Sequence, residues 1–535
     1  MAAKPPDGVE LQRGTDAAGG RGPTHQRLFA NPVIPGFHPD PSVCRVGDTF
    51  YLVTSSFEYY PGIPIFASTD LVNWRQIGHC LNRPSQLDLS AAGPSGGLFA
   101  PTIRWHDGIF FMTVTNVSGG GHLIVHAVDP AGPWSDPVWV DQNGIDPSLF
   151  FEDGKAYFTS TIEPNLDEVE EASPGFQRGL QQCLVDPFTG DRLSESRFLW
   201  AGSGGRFPEA PHLFRRGDFY YLLAAEGGTD HGHMVTVARS SEPWGPFEPS
   251  PRNPVLSHRS RASAIQSTGH GDLVELPDGS WWMLCLGVRP HGNPPVHVLG
   301  RETFLAQVVW AADGWPQVAG SGMIELEAPA PDLPLSRPAV RWGRDDFDSR
   351  ILGLQWNHLR NPDPASWSLD WRPGWLGLKP GRDSTDEPHL VFVGRRQEDH
   401  EFTIASRLDF APTAADEAGL TVRMNETHHY DIGLRLLDGA RQLVLRRRIG
   451  DLVSEVATSA FPPGPIDLVV GADADHYRFG FVDVSGMTRE IGRGETRYLS
   501  TEVAGGFTGV YIGMYATGLA TSAPAFWDWY DYRPC

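Results

Sequence analysis

Gly47-Asp48-Thr49-Phe50-Tyr51-Leu52-Val53 is a turn followed by alternating aromatic and aliphatic residues. Gly-Asp and Asp-Gly tolerate the positive φ that a two-residue hairpin turn demands, so the stretch reads as a hairpin turn entering a strand. It returns four times, as Asp107-Gly108-Ile109-Phe110-Phe111-Met112, Asp153-Gly154-Lys155-Ala156-Tyr157-Phe158, Gly217-Asp218-Phe219-Tyr220-Tyr221-Leu222 and Asp278-Gly279-Ser280-Trp281-Trp282-Met283. From Asp48 the aspartates step by 59, 46, 65 and 60 residues. A second phrase, a tight turn ending in Trp or Phe, follows four of the five: Asp70-Leu71-Val72-Asn73-Trp74, Gly132-Pro133-Trp134, Asp186-Pro187-Phe188 and Trp244-Gly245-Pro246-Phe247. Each unit is then an inner strand, a central hairpin and an outer strand. One such sheet cannot cover both of its faces, so the units must stack, and five stacked radially predict a five-bladed β-propeller.

After Trp315 the phrase stops and a different alternation begins. Phe402, Ile404, Leu408 and Phe410 share one parity, and Leu443 and Leu445 another face. Phe526-Trp527-Asp528-Trp529-Tyr530-Asp531-Tyr532 reads as a strand with aromatics on both faces. Eight to ten such runs predict a β-sandwich. The chain is therefore read as all-β: a flexible N-terminal tail (1–29), a propeller (30–325), a Pro- and acid-rich linker (326–344) and an accessory sandwich of concanavalin or jelly-roll type (345–535).

Composition bounds the function. At 535 residues the chain exceeds one ordinary core, and its formal charge of −22 opposes nucleic acid or an anionic membrane as partner. Cys44, Cys80, Cys183, Cys285 and Cys535 are widely spaced and predict buried free thiols rather than a disulfide framework. The first 30 residues hold no apolar h-region, which predicts a soluble cytoplasmic protein.

Inner strands of a propeller bring distant residues to one funnel, and three acids precede such strands. Asp40 lies in Gly36-Phe37-His38-Pro39-Asp40-Pro41-Ser42, Asp146 in Gly144-Ile145-Asp146-Pro147-Ser148, and Glu209 in Phe207-Pro208-Glu209-Ala210-Pro211-His212. All three are read as occupying the same place in their units, each framed by Pro. Asp beside Pro is also ordinary turn chemistry, but three acids gathered at one place repel and need a reason. Two carboxyls across a sugar-sized gap are the equipment of a glycosidase, one protonated and one ionised.

The same residues resemble glycoside hydrolase family 43. Asn31-Pro32-Val33 with the Asp40 segment, Ser56-Phe57-Glu58-Tyr59-Tyr60-Pro61-Gly62, Phe99-Ala100-Pro101, the Asp146 segment, Glu209 with Pro211-His212, Ala225-Glu226-Gly227-Gly228-Thr229, Gly269-His270 and Leu299-Gly300-Arg301-Glu302-Thr303 follow in order. The resemblance runs from about residue 30 to the C-terminus and includes the sandwich of the β-xylosidase branch. It implies a five-bladed propeller of inverting enzymes, with Asp40 as general base, Asp146 as pKa modulator and Glu209 as general acid. It further implies Arg301 as a substrate-binding residue, Phe57 as an apolar wall, and Phe507, in Gly505-Gly506-Phe507, as an aromatic brought to the pocket mouth by the sandwich. Phe99 and His270 join the substrate-binding set. Phe99, Thr102 and Ala210 stand where many β-xylosidases of this branch carry Trp, Asp and Gly, so the sugar stays open between β-D-xylose and α-L-arabinofuranose, both released from chain ends of xylo- or arabino-oligosaccharides.

No cofactor is required by this chemistry, and no metal set is assigned; a divalent cation such as calcium near His270 stays open, as does self-association into a homo-oligomer. The pairs His231 with His233 and His428 with His429 are read as solvated loop residues, and Arg446-Arg447-Arg448 as a solvated edge. A glycan-binding propeller without catalysis would leave the three acids unexplained. A fructosidase-type propeller would carry Asn-Asp-Pro-Asn-Gly and Arg-Asp-Pro, and neither string occurs.

Overall fold

Five four-stranded antiparallel sheets follow one another from Ser42 to Val318 in the computed structural model, which describes residues 27–162, 179–338, 343–413, 416–457, 460–519 and 522–535. The blades begin with inner strands Ser42–Val46, Leu98–His106, Ser148–Glu152, Glu209–Arg216 and Gln266–Glu275. Each of the five Asp/Gly phrases is the turn between a blade's first and second strands. Asp107 and Gly108, for example, have φ of 49° and 85°, the consecutive positive values that match the strands' own twist. In the first four blades the Trp or Phe phrase is the turn into the outermost strand; the fourth blade carries an additional two-residue strand, Leu256–Ser257.

Alternation then decides the packing. In the second strand of blade four, Leu222 and Ala224 join the apolar layer shared with blade three, while Tyr221 and Leu223 join the layer shared with blade five. The ring closes because Val43, Phe50 and Leu52 of blade one pack with Val274, Trp282 and Leu284 of blade five. A short strand, Leu28–Ala30, fastens this seam by pairing with Glu327–Pro329. Leu28 and Phe29 were expected in the tail and Glu327–Pro329 in the linker; three-residue strands are too short to show alternation. Residues 1–26 of the expected tail and linker residues 339–342 lie outside the described residues.

The C-terminal domain is a sandwich of a six-stranded and an eight-stranded sheet. Phe402, Ile404, Leu408 and Phe410 face its core, as do Leu443 and Leu445. Fourteen strands replace the eight to ten expected, partly because Gly343–Asp345, Trp367–Ser368 and Leu376–Leu378 are again only two or three residues long. The sandwich is joined to the propeller by main-chain pairing of His358–Leu359 with Tyr59–Tyr60 and by Tyr59 stacked on Tyr511 at 3.6 Å. Four cysteines are buried free thiols, and Cys535 is exposed.

Two readings of polar residues are corrected. His429 is buried between Asp431 and Asp386, and His428 is also buried, so neither is a solvated loop residue. Arg446 binds Glu417 and Asp431 in a partly buried ion cluster rather than lining a solvated edge. The partners of Arg446 lie on other strands and Asp386 lies 43 residues from His429, out of reach of local pattern.

Candidate active site

At or just before each inner strand, one equivalent position near the axis holds a non-glycine residue in the left-handed region. These are Asp40 (φ 55°), Ala100 (45°), Asp146 (55°), Ala210 (52°) and His270 (48°). Proline follows in four blades and Gly271 in the fifth. Bulges in blades two, four and five interrupt the pairing at this level. Asp40 and Asp146 are thus equivalent, but Glu209 is not their equivalent: that place belongs to Ala210, and Glu209 stands one residue earlier, matching Phe99. The expectation of three identical positions is corrected by one residue.

The funnel floor holds Asp40, buried and fully engaged. Its Oδ1 accepts from Arg301 Nη1 at 2.9 Å and lies 3.5 Å from His270 Nδ1, while Oδ2 accepts from the Ser55 hydroxyl at 2.6 Å. Burial pushes its pKa up, but Arg301, His270 and Ser55 together outweigh burial and hold it below the usual carboxylate range. Asp146 accepts from the amide of Ala210 at 3.1 Å, which ties it to the residue beside Glu209. Burial raises its pKa, with His270 opposing and the Asp40 charge adding to the rise. Glu209 is raised well above the usual range, first by burial and then by the negative charges of Asp146 and Asp40, against Arg301. Glu209 is only partly buried. One carboxyl is therefore held ionised and another protonated in the same pocket, the pattern that separates a base from an acid.

Arg301 links this floor to the mouth. Nη1 also donates to Thr229 Oγ1 at 3.2 Å, Nη2 donates to the Phe507 carbonyl at 3.3 Å, and the guanidinium lies over the Phe57 and Phe507 rings at 5.5 and 5.9 Å. Phe57 and Phe99 rings are 4.7 Å apart, and Phe507 stands 6.4 and 6.2 Å from them. Phe507 comes from the sandwich, yet its side chain does not enter the sandwich core: it is 43% exposed, and its amide donates to the Ser95 hydroxyl of the propeller at 2.8 Å. All eight residues singled out from the sequence thus fall in one connected site.

Several partners were not legible. Ser55 also accepts from the amide of Ala100, binding the first two blades together. Below the floor, buried Asp272 accepts from Ser42 Oγ, the Val43 amide and both Arg104 Nη atoms. Asp272 sits two residues after His270, as Ser42 does after Asp40, so the repeat register offered a signal for it; Thr229 stood within the Ala225–Thr229 segment of the resemblance without an assigned role, and Ser55 offered no signal. His233 is corrected from solvated to buried: its Nδ1 faces the Ser267 carbonyl at 3.2 Å and its ring covers Gly269. His231 is exposed. Among the described residues no group of three or more His, Cys, Asp or Glu side chains is placed to hold a metal ion.

Comparison with known proteins agrees with this geometry. A family model described as "Glycosyl hydrolases family 43" matches residues 29–316, and one described as "Beta xylosidase C-terminal Concanavalin A-like domain" matches residues 344–533. The chain is 44% identical over 518 residues to the non-reducing end α-L-arabinofuranosidase BoGH43B of Bacteroides ovatus, covering 95% of each. It is 38% identical to a xylosidase/arabinosidase of Butyrivibrio fibrisolvens, covering 94% of this chain and 98% of that protein. The solved structure of a xylan β-1,4-xylosidase from Bacillus halodurans C-125 superposes with a TM-score of 0.89 at 33% identity, covering 94% of this chain and 100% of that one.

Proposed function

The chain belongs to glycosyl hydrolase family 43, and from that premise we propose that it releases terminal pentoses, β-D-xylose or α-L-arabinofuranose or both, from xylo- or arabino-oligosaccharides with inversion. The observation that carries this reading is the opposed tuning of two carboxyls in one aromatic-roofed funnel: Asp40 held ionised, Glu209 held protonated. In this mechanism Asp40 takes a proton from a water as that water attacks the anomeric carbon. Glu209 gives its proton to the departing glycosidic oxygen on the other side of the sugar. The bond to the leaving sugar breaks as the bond to water oxygen forms, and the two carboxyls exchange roles before solvent resets them. Inversion asks for carboxyls about 6.5–9.5 Å apart, with room for the water.

Asp146 holds Glu209 in its protonated form through its charge, and Arg301 with His270 keeps Asp40 ionised and oriented. Side chains and water supply the whole reaction, so the proposal needs no cofactor. Phe57, Phe99 and Phe507 form an apolar wall suited to one pentose ring, and Phe507 closes the outer side, which limits the enzyme to chain ends. Thr102 is uncharged and its hydroxyl donates to the Pro147 carbonyl at 2.9 Å, so this position supplies no charge to select between pentoses.

A panel of p-nitrophenyl β-D-xylopyranoside, p-nitrophenyl α-L-arabinofuranoside and sucrose tests the reading. Cleavage of either pentoside and not of sucrose is expected. Inactivity on both pentosides would overturn it.

A further inference from the structure

The inner strand of blade five is loosely paired where it passes the funnel floor. It pairs with its neighbour at Gln266, at Gly269 and again from Asp272, and the register slips on both sides of Gly269. Ser267 (φ 54°) and His270 (φ 48°) stand in the two slips, in a conformation unfavourable to any residue with a Cβ. Strand pairing alone therefore fixes little of the stretch that ends in His270, and neighbouring groups must hold it there.

His233 grips this stretch from blade four, where it immediately precedes the strand Met234–Ser240. It is buried, and its Nδ1 stands 3.2 Å from the Ser267 carbonyl. A carbonyl only accepts, so Nδ1 carries the proton and donates. A Cβ added to Gly269 would stand 2.2–2.4 Å from three atoms of the His233 ring, so the imidazole fills the space beside Gly269 and only glycine fits there. Burial pushes the His233 pKa down to about 3, against the Ser267 bond and with His270 and Arg301 adding, so at neutral pH the ring is uncharged and acts through its shape and its one donor.

The clasp holds residues 267 and 269, and His270 follows at once, with its Nδ1 3.5 Å from Asp40 Oδ1. The charged and titratable groups that bear on Asp40 are Arg301 at 2.9 Å, His270, His233, Asp146 and Glu209, beside the Ser55 hydroxyl. Those that bear on His270 are Asp40, Asp146, His212 and His233. Arg301 has further anchors of its own in Thr229 and the Phe507 carbonyl, whereas His270 depends on where its bulged strand is held.

We propose that His233 is a positioning residue for the reaction: by clasping Ser267 and Gly269 it sets His270 against Asp40 and so keeps the base ready to take a proton from water. The proposal rests on the glycosidase reading above and extends it to a residue behind the groups that meet the substrate.

The test is the pH dependence of kcat/KM on a p-nitrophenyl β-D-xylopyranoside or α-L-arabinofuranoside, whichever the unaltered protein cleaves. Its acidic limb reports Asp40. His233→Ala frees the stretch, His270 draws away, and Asp40 loses a group that holds its pKa low, so the acidic limb should move to higher pH. In a His270→Ala background His233→Ala should move it no further. Gly269→Ala presses on the same contact from the other side and should move the limb the same way, but add nothing once His233→Ala has made room. His233→Gln keeps a donor for Ser267 and should move it less. A limb that stays in place in whichever of these single variants fold overturns the proposal, whatever the loss of rate or stability. So does a movement of equal size in the His270→Ala background, and so does failure of all three single variants to fold, which would make His233 a part of the scaffold alone. An unaltered protein inactive on both pentosides overturns the glycosidase reading, whereas an active one with an unmoved limb in the variants overturns only the role of His233.

Discussion

Gly506 lies at φ 85°, and a Cβ placed on it would stand 2.4 Å from Ser95 Oγ, the atom that accepts the Phe507 amide. Gly506→Ala therefore loads the loop twice. Holding alanine in the left-handed region costs about 1–2 kcal/mol. Moving the Ser95 hydroxyl out of the way sacrifices its hydrogen bond, another roughly 0.5–1.5 kcal/mol. The sum, about 1.5–3.5 kcal/mol, falls on a surface loop that can shift instead of unfolding, so its effect is to lift Phe507 off Phe57 and Phe99. With each 1.4 kcal/mol worth about tenfold in an equilibrium, KM for a short oligosaccharide should rise at least tenfold, while the midpoint of thermal unfolding followed by circular dichroism moves little. A Ser95→Ala background separates the two parts. There the hydroxyl is already absent, so Gly506→Ala should cost only its backbone share, and the double-mutant cycle should return a coupling of roughly 0.5–1.5 kcal/mol. Unchanged KM in Gly506→Ala, or an identical penalty in both backgrounds, would refute the closing role of this contact.

Asp146→Asn removes a negative charge beside Glu209 and so lowers the pKa of the acid. The basic limb of the pH–kcat/KM profile should move to lower pH, and a limb that stays in place removes Asp146 from the tuning role. Asp272 has a pKa held far below the usual carboxylate range, because Arg104, His212 and Ser42 outweigh the upward push of burial. Its stabilising contribution is present above the ordinary carboxylate pKa and lost as pH falls through the depressed one. Asp272→Ala strands Arg104 and should destabilise the propeller by about 3–5 kcal/mol in urea unfolding at neutral pH; a loss below about 1 kcal/mol contradicts the central place given to this pair.

The fivefold phrase was legible because a tight hairpin leaves little choice of residue: all five Asp/Gly pairs stand at the turn between first and second strands. Strand parity in the sandwich was legible for the same kind of reason, since Phe402, Ile404, Leu408 and Phe410 must all point one way to be buried. Residues whose neighbours are set by tertiary contact were not. His233 and His429 are buried by groups 34 and 43 residues away, and Ser55 matters only because it bridges Asp40 and Ala100. Glu209 stands one residue before the left-handed position, which Ala210 takes within a bulged stretch of the strand. This offset was written in the spacing, for Asp40 and Asp146 precede their prolines directly while Ala210 separates Glu209 from Pro211. Phe507 was found through its glycines and its resemblance to a known loop; the hydrogen bond to Ser95 that seats it spans 412 residues.

The central claim, an ionised Asp40 activating water opposite a protonated Glu209, fixes the stereochemistry of the product. Proton NMR of the first sugar released, recorded before mutarotation, reads it directly. A β-xyloside should yield α-xylose first, and an α-L-arabinofuranoside the β anomer. First release of the anomer that matches the substrate would mean a covalent intermediate and retention, and would contradict the assignment of Asp40 as the base for water.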